Sequence, residues 1–414
     1  MFIHQNRVHS MKTSDYLAQV DKYSAANYHP LPIILTRGEG VWVWDSEDRK
    51  YMDCLAAYSA VNQGHRHPRI LEAAHRQLDR LTLTSRAFHN DQMGPFLQDL
   101  CEYTGFEKAL PMNSGAEAVE TGIKAARRWG YETKGISDNK AEIIVCENNF
   151  HGRTTTIVGF SSEPAYKRGF GPFTPGFKMI PYGDLDALEA AITPNTVAFL
   201  VEPLQGEGGV VVPPDGFLSG ARSVCSDNNV LLVADEIQTG LGRTGKRFCC
   251  DWEDVTPDVV LVGKALSGGF YPVSAMLSQD SVMSVFKPGD HGSTFGGNPL
   301  GAAVARAALA VIREEKLAER AAELGSWFME ALRQIDSPFI EEIRGRGLMI
   351  GAVVKKEHGP ARPFCEALME RGLLAKETHE QVVRFAPPLV VTRDELQWAL
   401  EQVTEVFSAV SNTV

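Results

Sequence analysis

Two short stretches end in residues able to do chemistry. In 231-LLVADEIQ-238 an acid, Asp235, closes an apolar run, and in 259-VVLVGKALSGG-269 an amine, Lys264, closes the next one. A lone lysine after such a run ordinarily opens a helix in solvent. Paired with a strand-end acid one strand-and-helix step earlier it means something else, because open parallel sheets bind ligands at the carboxyl ends of their strands. An acid and an amine at one sheet edge suit a planar cofactor, and pyridoxal phosphate fits. The lysine forms a Schiff base with its aldehyde, and the carboxylate keeps the pyridine nitrogen protonated so that the ring accepts electrons from a carbanion. A positive ring nitrogen in turn stabilises the aspartate as its anion. The phosphate then needs the free amides of a helix N-terminus, and 113-NSGAEA-118 offers one, with Ser114, Gly115 and Ala116 allowing close backbone approach.

A competing phosphate site is 240-GLGRTGKR-247, which fits a G-x-G-x-x-G fingerprint and falls one residue short of a nucleotide-triphosphate loop. That reading would make the chain a nucleotide-binding dehydrogenase or an NTPase. A triphosphate loop needs Ser or Thr after its lysine and a helix to receive the phosphates. Here Arg247 follows Lys246, and FCCDWEDVTPDVV has no apolar helical period. The stretch is therefore expected to be a glycine-rich turn whose role is shape.

The elements that must position these residues are legible as apolar runs at 142–146, 197–203, 230–236 and 259–264, alternating with amphipathic helices such as 185–192 and 216–229. Continuous apolar runs separated by helices predict an α/β fold, with a mostly parallel sheet covered by helices on both faces. A helix opening at Ser114 and leaving at Gly130 has the expected capping residues. After residue 300 long helical patterns give way to short strands near 347–354 and 382–388. The expected domains are a large cofactor-binding unit, 61–300, and a smaller α+β unit, 301–414. The first 60 residues, with a hairpin in VWVWDSEDRKYMD, are expected to join the smaller unit or lie over the larger one.

The chain has 414 residues, 44% of them hydrophobic and 22% charged, which suits two domains or one large domain with an appendage. A net charge of −11 and no long Lys/Arg block argue against nucleic acid and anionic membranes as partners. No apolar stretch reaches the ~20 residues of a membrane span, and the N-terminus lacks a secretory or transit pattern, so the cytoplasm is the expected compartment. The seven cysteines have no C-x-x-C spacing and read as reduced, mostly buried thiols. His65, His67 and His75 lack familiar metal-ligand partners, and Pro68 suits the first turn of a helix.

The motifs PMNSGAEAVE, NNFHGRT, VEPLQGEGGVVVP, VLLVADEIQTGLGRTG, LVGKALSGG and HGSTFGGNPLG, in that order, closely resemble the class III aminotransferases of the aspartate aminotransferase fold, also called fold type I of the pyridoxal phosphate enzymes. The resemblance covers residues 20 to 410. It implies that Lys264 is the Schiff-base lysine and proton shuttle, that Asp235 pairs the ring nitrogen, that Gln238 contacts the phenolic oxygen and that Phe150 stacks on the ring. Ser114, Gly115 and Ala116 would bind the phosphate together with Thr294 of the partner subunit, which implies a homodimer with composite active sites.

Within that class, 27-NYHPLP-32 and 57-AYSAVNQGH-65 resemble the branch that acts on ornithine, in which Tyr28 and Tyr58 line the substrate pocket. By the same resemblance Arg153 grips the α-carboxylate, leaving the δ-amine toward the cofactor. Arg384 would pair with Glu207 while ornithine reacts and be released to bind 2-oxoglutarate afterwards, a switch that lets one site accept a cationic donor and a dianionic acceptor. The implied reaction converts ornithine and 2-oxoglutarate to glutamate 5-semialdehyde, which cyclises, and glutamate. Acetylornithine and 4-aminobutyrate are the alternative donors. One departure is His151, which stands where some members of the ornithine branch have Trp.

Overall fold

The computed structural model describes residues 11–408. Its central sheet has seven strands in the order Lys108–Met112, Ser274–Ser278, Val259–Val262, Leu231–Asp235, Thr196–Val201, Glu142–Cys146 and Phe177–Ile180. Ser274–Ser278 runs antiparallel to both neighbours, and the other pairings are parallel. The inner strands are buried along their whole length. Alternate side chains serve two cores: Phe199, Val201, Leu232 and Val260 face one, while Ala198, Leu200, Val233 and Leu261 face the other. Strand geometry requires this, since successive residues point to opposite faces and here helices cover both. Gly115–Glu132 lies over the second core through Val119, Ile123 and Ala126. Phe217–Asp227 and Pro299–Glu314 lie over the first.

The helix after Ser114 starts where expected but does not leave at Gly130; it continues to Glu132. That glycine serves packing instead, because a Cβ there would sit 2.2 Å from Val197 Cγ1 in the sheet beneath. The strand expected over 382–388 stops at Phe385, where Pro387 and Pro388 have no amide hydrogen for the ladder. The long helical pattern after residue 300 divides at Lys316, whose φ of 51° separates Pro299–Glu314 from Leu317–Arg333.

Two smaller four-stranded sheets flank this body. In one, Trp42–Asp45 and Lys50–Asp53 form the expected hairpin, and Leu373–Leu374 from the far end of the chain adds in parallel beside Lys50–Asp53. The other is built from Ile340–Arg346, Met349–Val354, Val382–Phe385 and Lys376–Thr378, with Arg384 opposite Gly351. His65 and His67 each pair with an acid, Asp53 at 2.8 Å and Glu315 at 3.0 Å. Among the described residues no helix is long and apolar enough to cross a membrane.

Candidate active site

Adjacent parallel strands bring Asp235 and Lys264 to one edge of the sheet. Asp235 ends its strand opposite Leu261, and Lys264 follows three residues later. Both line a cavity of about 210 Å³, together with Gly115, Ala116, Phe150 and Gln238. Lys264 has φ of 42°, a left-handed conformation that is uncommon for a residue with a Cβ and concentrates at functional sites. Burial pushes its amine down to about 8, against the opposing pull of Glu207 and Asp235.

Helix Gly115–Glu132 enters the site with its N-terminus. Ser114 caps it reciprocally with Glu117, accepting from the Glu117 amide at 3.3 Å. The cap leaves the amides of Gly115 and Ala116 as the helix's first donors, which have no acceptor within it. Ser114 itself borders a second cavity of about 340 Å³ that shares Gly115 and Lys264 with the first.

Two ionisable residues in the cavity were not singled out as site residues by sequence. His151 is buried and its Nδ1 lies 2.7 Å from Asp235 Oδ2, while its Nε2 has no partner. Burial disfavours the imidazolium, but the hydrogen bond and charge of Asp235 outweigh it and raise the His151 pKa. Glu202 accepts from the Phe150 amide at 2.8 Å and the Gly206 amide at 3.4 Å. Burial is the main reason its carboxyl is pushed up to about 7. Glu202 carries the same signal as Asp235, an acid directly after a buried strand, and that signal alone would have found it.

Beside Gln238, Glu207 Oε1 is 2.7 Å from Arg384 Nη1. Gln238 ties into the pair, accepting from Arg384 at 3.0 Å and donating to Glu207 at 3.4 Å. Burial alone would raise the Glu207 pKa, but Arg384 and Lys264 bring it below the usual carboxylate value. The Tyr58 ring lies 5.0 Å from the Arg384 guanidinium and 5.9 Å from Lys264 Nζ. Tyr58 belongs to a turn, Ala56 to Ser59, in which every φ lies between 47° and 72°. Such a left-handed run costs about 1–2 kcal/mol per residue. Asp53 Oδ1 pins its start by accepting from the Leu55 and Ala56 amides, both at 2.9 Å.

The remaining candidates stand further out. Arg153 is exposed, with its guanidinium 4.0 Å from the Tyr166 ring and 5.6 Å from the Phe150 ring. Tyr28 is 73% exposed; Arg362 holds the following segment through the carbonyls of His29 and Pro30, both at 3.1 Å. Thr294 is exposed too, on a loop whose Ser293 accepts from Asn113 at 2.8 Å.

The glycine-rich stretch 240–247 lies outside the cavity. A Cβ on Gly245 would meet Ala322 at 2.9 Å, and one on Gly242 would meet Leu389 at 3.1 Å. No α-helix follows it; Cys249–Glu253 is a short 3-10 turn. The loop is shaped to pack against the C-terminal part of the chain.

The cavity fits pyridoxal phosphate. It offers a desolvated amine, a buried carboxylate with its own hydrogen-bonding partner, and free helix amides. Gly152, at φ 127°, lets the Phe150–His151 segment approach that helix where a Cβ would come within 3.0 Å of Ala116 Cβ.

The chain belongs to the class III aminotransferase family, whose model matches residues 23–407. It is 60% identical to the ornithine aminotransferase of Geobacillus sp. (strain WCH70), over 96% of this chain and 100% of that protein. Among solved structures, ornithine aminotransferase from Toxoplasma gondii, with partial occupancy of PLP at its active site, superposes with a TM-score of 0.95 at 47% identity, over 96% of this chain and 94% of that one. An acetylornithine aminotransferase from Elizabethkingia anophelis gives a TM-score of 0.88 at 48% identity, over 96% and 99%.

Proposed function

We propose that the protein transfers the δ-amino group of ornithine to 2-oxoglutarate with pyridoxal phosphate as cofactor, yielding glutamate 5-semialdehyde and glutamate. The observation that carries this reading is the Arg384–Glu207 pair, joined to the Lys264 cavity through Gln238, on a chain so similar to ornithine aminotransferases. While Glu207 neutralises Arg384, the mouth is open to a cationic donor; once the pair opens, the guanidinium receives a carboxylate of the acceptor.

Bound pyridoxal phosphate supplies the aldehyde that receives the amine and the ring that takes up the electron pair released when the substrate carbon loses a proton. The protein does the rest. Lys264 Nζ, held near neutral pH by burial, takes that proton and returns it. Asp235, oriented by His151, presents a buried anion to a positive ring nitrogen. Gln238 would meet the phenolic oxygen, Phe150 would cover one ring face, and Ser114, Gly115 and Ala116 would hold the phosphate. Arg153 and the tyrosines Tyr28 and Tyr58 hold the ornithine carboxylate end.

We further read the enzyme as a homodimer in which Thr294 of the partner subunit completes the phosphate site; the exposure of Thr294 and of Phe295, 43% exposed beside it, supports this. We assign residues 61–300 to the cofactor-binding domain and, of the described residues, 11–60 and 301–408 to the smaller one; the pairing of Lys50–Asp53 with Leu373–Leu374 supports joining the two ends. Seven unpaired thiols suit the cytoplasm.

The test is to assay purified holoenzyme with ornithine, acetylornithine and 4-aminobutyrate, each with 2-oxoglutarate. Cyclised semialdehyde from ornithine, at a kcat/KM well above the other two donors, is expected. Preference for acetylornithine would overturn the substrate assignment while leaving the chemistry intact.

A further inference from the structure

Arg243 is among the largest side chains in the molecule with no solvent exposure. No acid pairs with it among the described residues. Its guanidinium is solvated instead by three oxygens from distant parts of the chain. Nη1 donates to the carbonyls of Leu348 at 2.8 Å and Pro387 at 2.7 Å, Nη2 donates to Asn62 Oδ1, and Nε has no partner. Its own carbonyl accepts from the Leu348 amide at 3.1 Å. A buried cation hydrogen-bonded only to neutral oxygens, with the charge of Asp53 acting on it from beyond contact, is costly.

Two of these oxygens, and Arg243 itself, lie a few residues from a side chain of the site. Asn62 follows Tyr58 by four residues, Pro387 follows Arg384 by three, and Arg243 itself follows Gln238 by five. Leu348 and Pro387 leave the same end of the antiparallel ladder in which Arg384 stands opposite Gly351. The N-terminal segment is sewn to this end as well: the Leu389 amide donates to the Asn62 carbonyl at 2.7 Å and the Ala386 amide to the Cys54 carbonyl at 2.6 Å. One planar fork thus fixes the relative positions of the Tyr58 turn, the Arg384 strand and the Gln238 loop. The flanking glycines allow it, because a Cβ on Gly347 would come within 2.4 Å of the Thr244 carbonyl carbon.

We propose that Arg243 is a positioning residue that sets Arg384 and Tyr58 over the mouth of the cavity, and that it matters more for the dicarboxylate acceptor than for the amine donor. The inference rests on the role of Arg384 given above. In the donor half-reaction Arg384 only has to stay neutralised by Glu207, which neighbours it at 2.7 Å. In the acceptor half-reaction the same guanidinium must meet a carboxylate at a fixed place, and a displacement near 1 Å costs up to about 100-fold in rate.

The test follows the two half-reactions of the holoenzyme separately, by the cofactor absorbance in single turnovers, in wild type, Arg243→Lys and Asn62→Ala. Lysine keeps the charge but cannot reach three acceptors in one plane. Arg243→Lys is expected to lower kcat/KM for 2-oxoglutarate by about 30-fold, mostly through a raised apparent Kd, with the ornithine half-reaction within about 3-fold of wild type. Asn62→Ala, which leaves Arg243 and its two carbonyl contacts in place, should show the same selectivity more weakly and decides the matter if Arg243→Lys does not fold. Equal losses in both half-reactions would make Arg243 a purely structural brace and overturn the proposal. A wild-type enzyme showing neither half-reaction would instead overturn the reading of Arg384 on which it rests.

Discussion

Arg384 Nη1 lies 2.7 Å from Glu207 Oε1, and both partners also meet Gln238, a residue lining the cavity that holds Lys264. Arg384 is almost fully buried, with side-chain exposure of 1%, and its Nε and Nη2 have no partner. Among the described residues Glu207 is thus the single carboxylate holding this cation, and removing it leaves a buried guanidinium free for any substrate carboxylate. Glu207→Ala is expected to raise kcat/KM for ordinary α-amino acids reacting at their α-amine by about 10- to 100-fold, equivalent to ~1.4–2.7 kcal/mol. Undiminished preference for the δ-amine in competition assays would show that the pair is not the switch.

The same carboxylate tunes the lysine. Burial is the main cause of the drop of the Lys264 amine to about 8, and Glu207 opposes it. Only the neutral amine attacks an aldehyde. Uptake of pyridoxal phosphate by the apoprotein should therefore accelerate as pH rises through about 8 and then level off. Glu207→Gln removes an anion that favours the ammonium, so its plateau should begin at lower pH. Stopped-flow absorbance across pH 6 to 10 checks both, and a shift of the variant profile to higher pH would contradict this electrostatic account.

How much of this was legible follows from what kind of partner each residue has. Asp235 and Lys264 end apolar runs, so their common edge could be read from period and length alone, and the helix start at Ser114 was legible in its small, polar entrance. The His151–Asp235 contact joins residues 84 apart in sequence, a spacing that follows from sheet order rather than from either motif. Arg243 was hidden more deeply. Two of its three acceptors are backbone carbonyls, which every residue carries and no composition reveals. The left-handed turn at Tyr58 was equally silent, because Ala56, Ala57, Tyr58 and Ser59 include none of the Gly, Asn or Asp residues that usually mark positive φ.

The His151 contact gives a pH-dependent stability. Its pKa is raised in the folded protein, despite burial, by the hydrogen bond and charge of Asp235. A raised folded pKa contributes stability that is fully present below the unfolded value of about 6.5 and is lost as pH rises through the folded value. His151→Gln should therefore unfold more easily than wild type by about 3 kcal/mol at pH 6, with the gap narrowing as pH rises through the folded value. It should also bind pyridoxal phosphate more weakly at every pH, since Asp235 loses the group that orients it. Denaturant titrations at several pH values test the first point, and a gap that widened with pH would reverse the assigned protonation.

Gly130 offers a test of the packing that supports the site. It lies in the helix whose N-terminus borders the cavity, and a Cβ there would fall 2.2 Å from Val197 Cγ1 and 3.2 Å from Val197 Cβ. On propensity alone, glycine to alanine inside a helix stabilises by roughly 0.5–1 kcal/mol. The clash should dominate here, because overfilling a packed core costs about 1–3 kcal/mol. Gly130→Ala is thus expected to destabilise. Val197→Ala should destabilise as well, by leaving a void under the helix. Combined, the two changes should cost less than their sum by about 1 kcal/mol or more, since the methyl added on the helix occupies the space vacated on the strand. A denaturation double-mutant cycle measures this coupling directly. Simple additivity would mean that the helix moves off the sheet to accept the methyl, and such a movement would also carry Gly115 and Ala116 away from Lys264, detectable as weakened cofactor binding in Gly130→Ala.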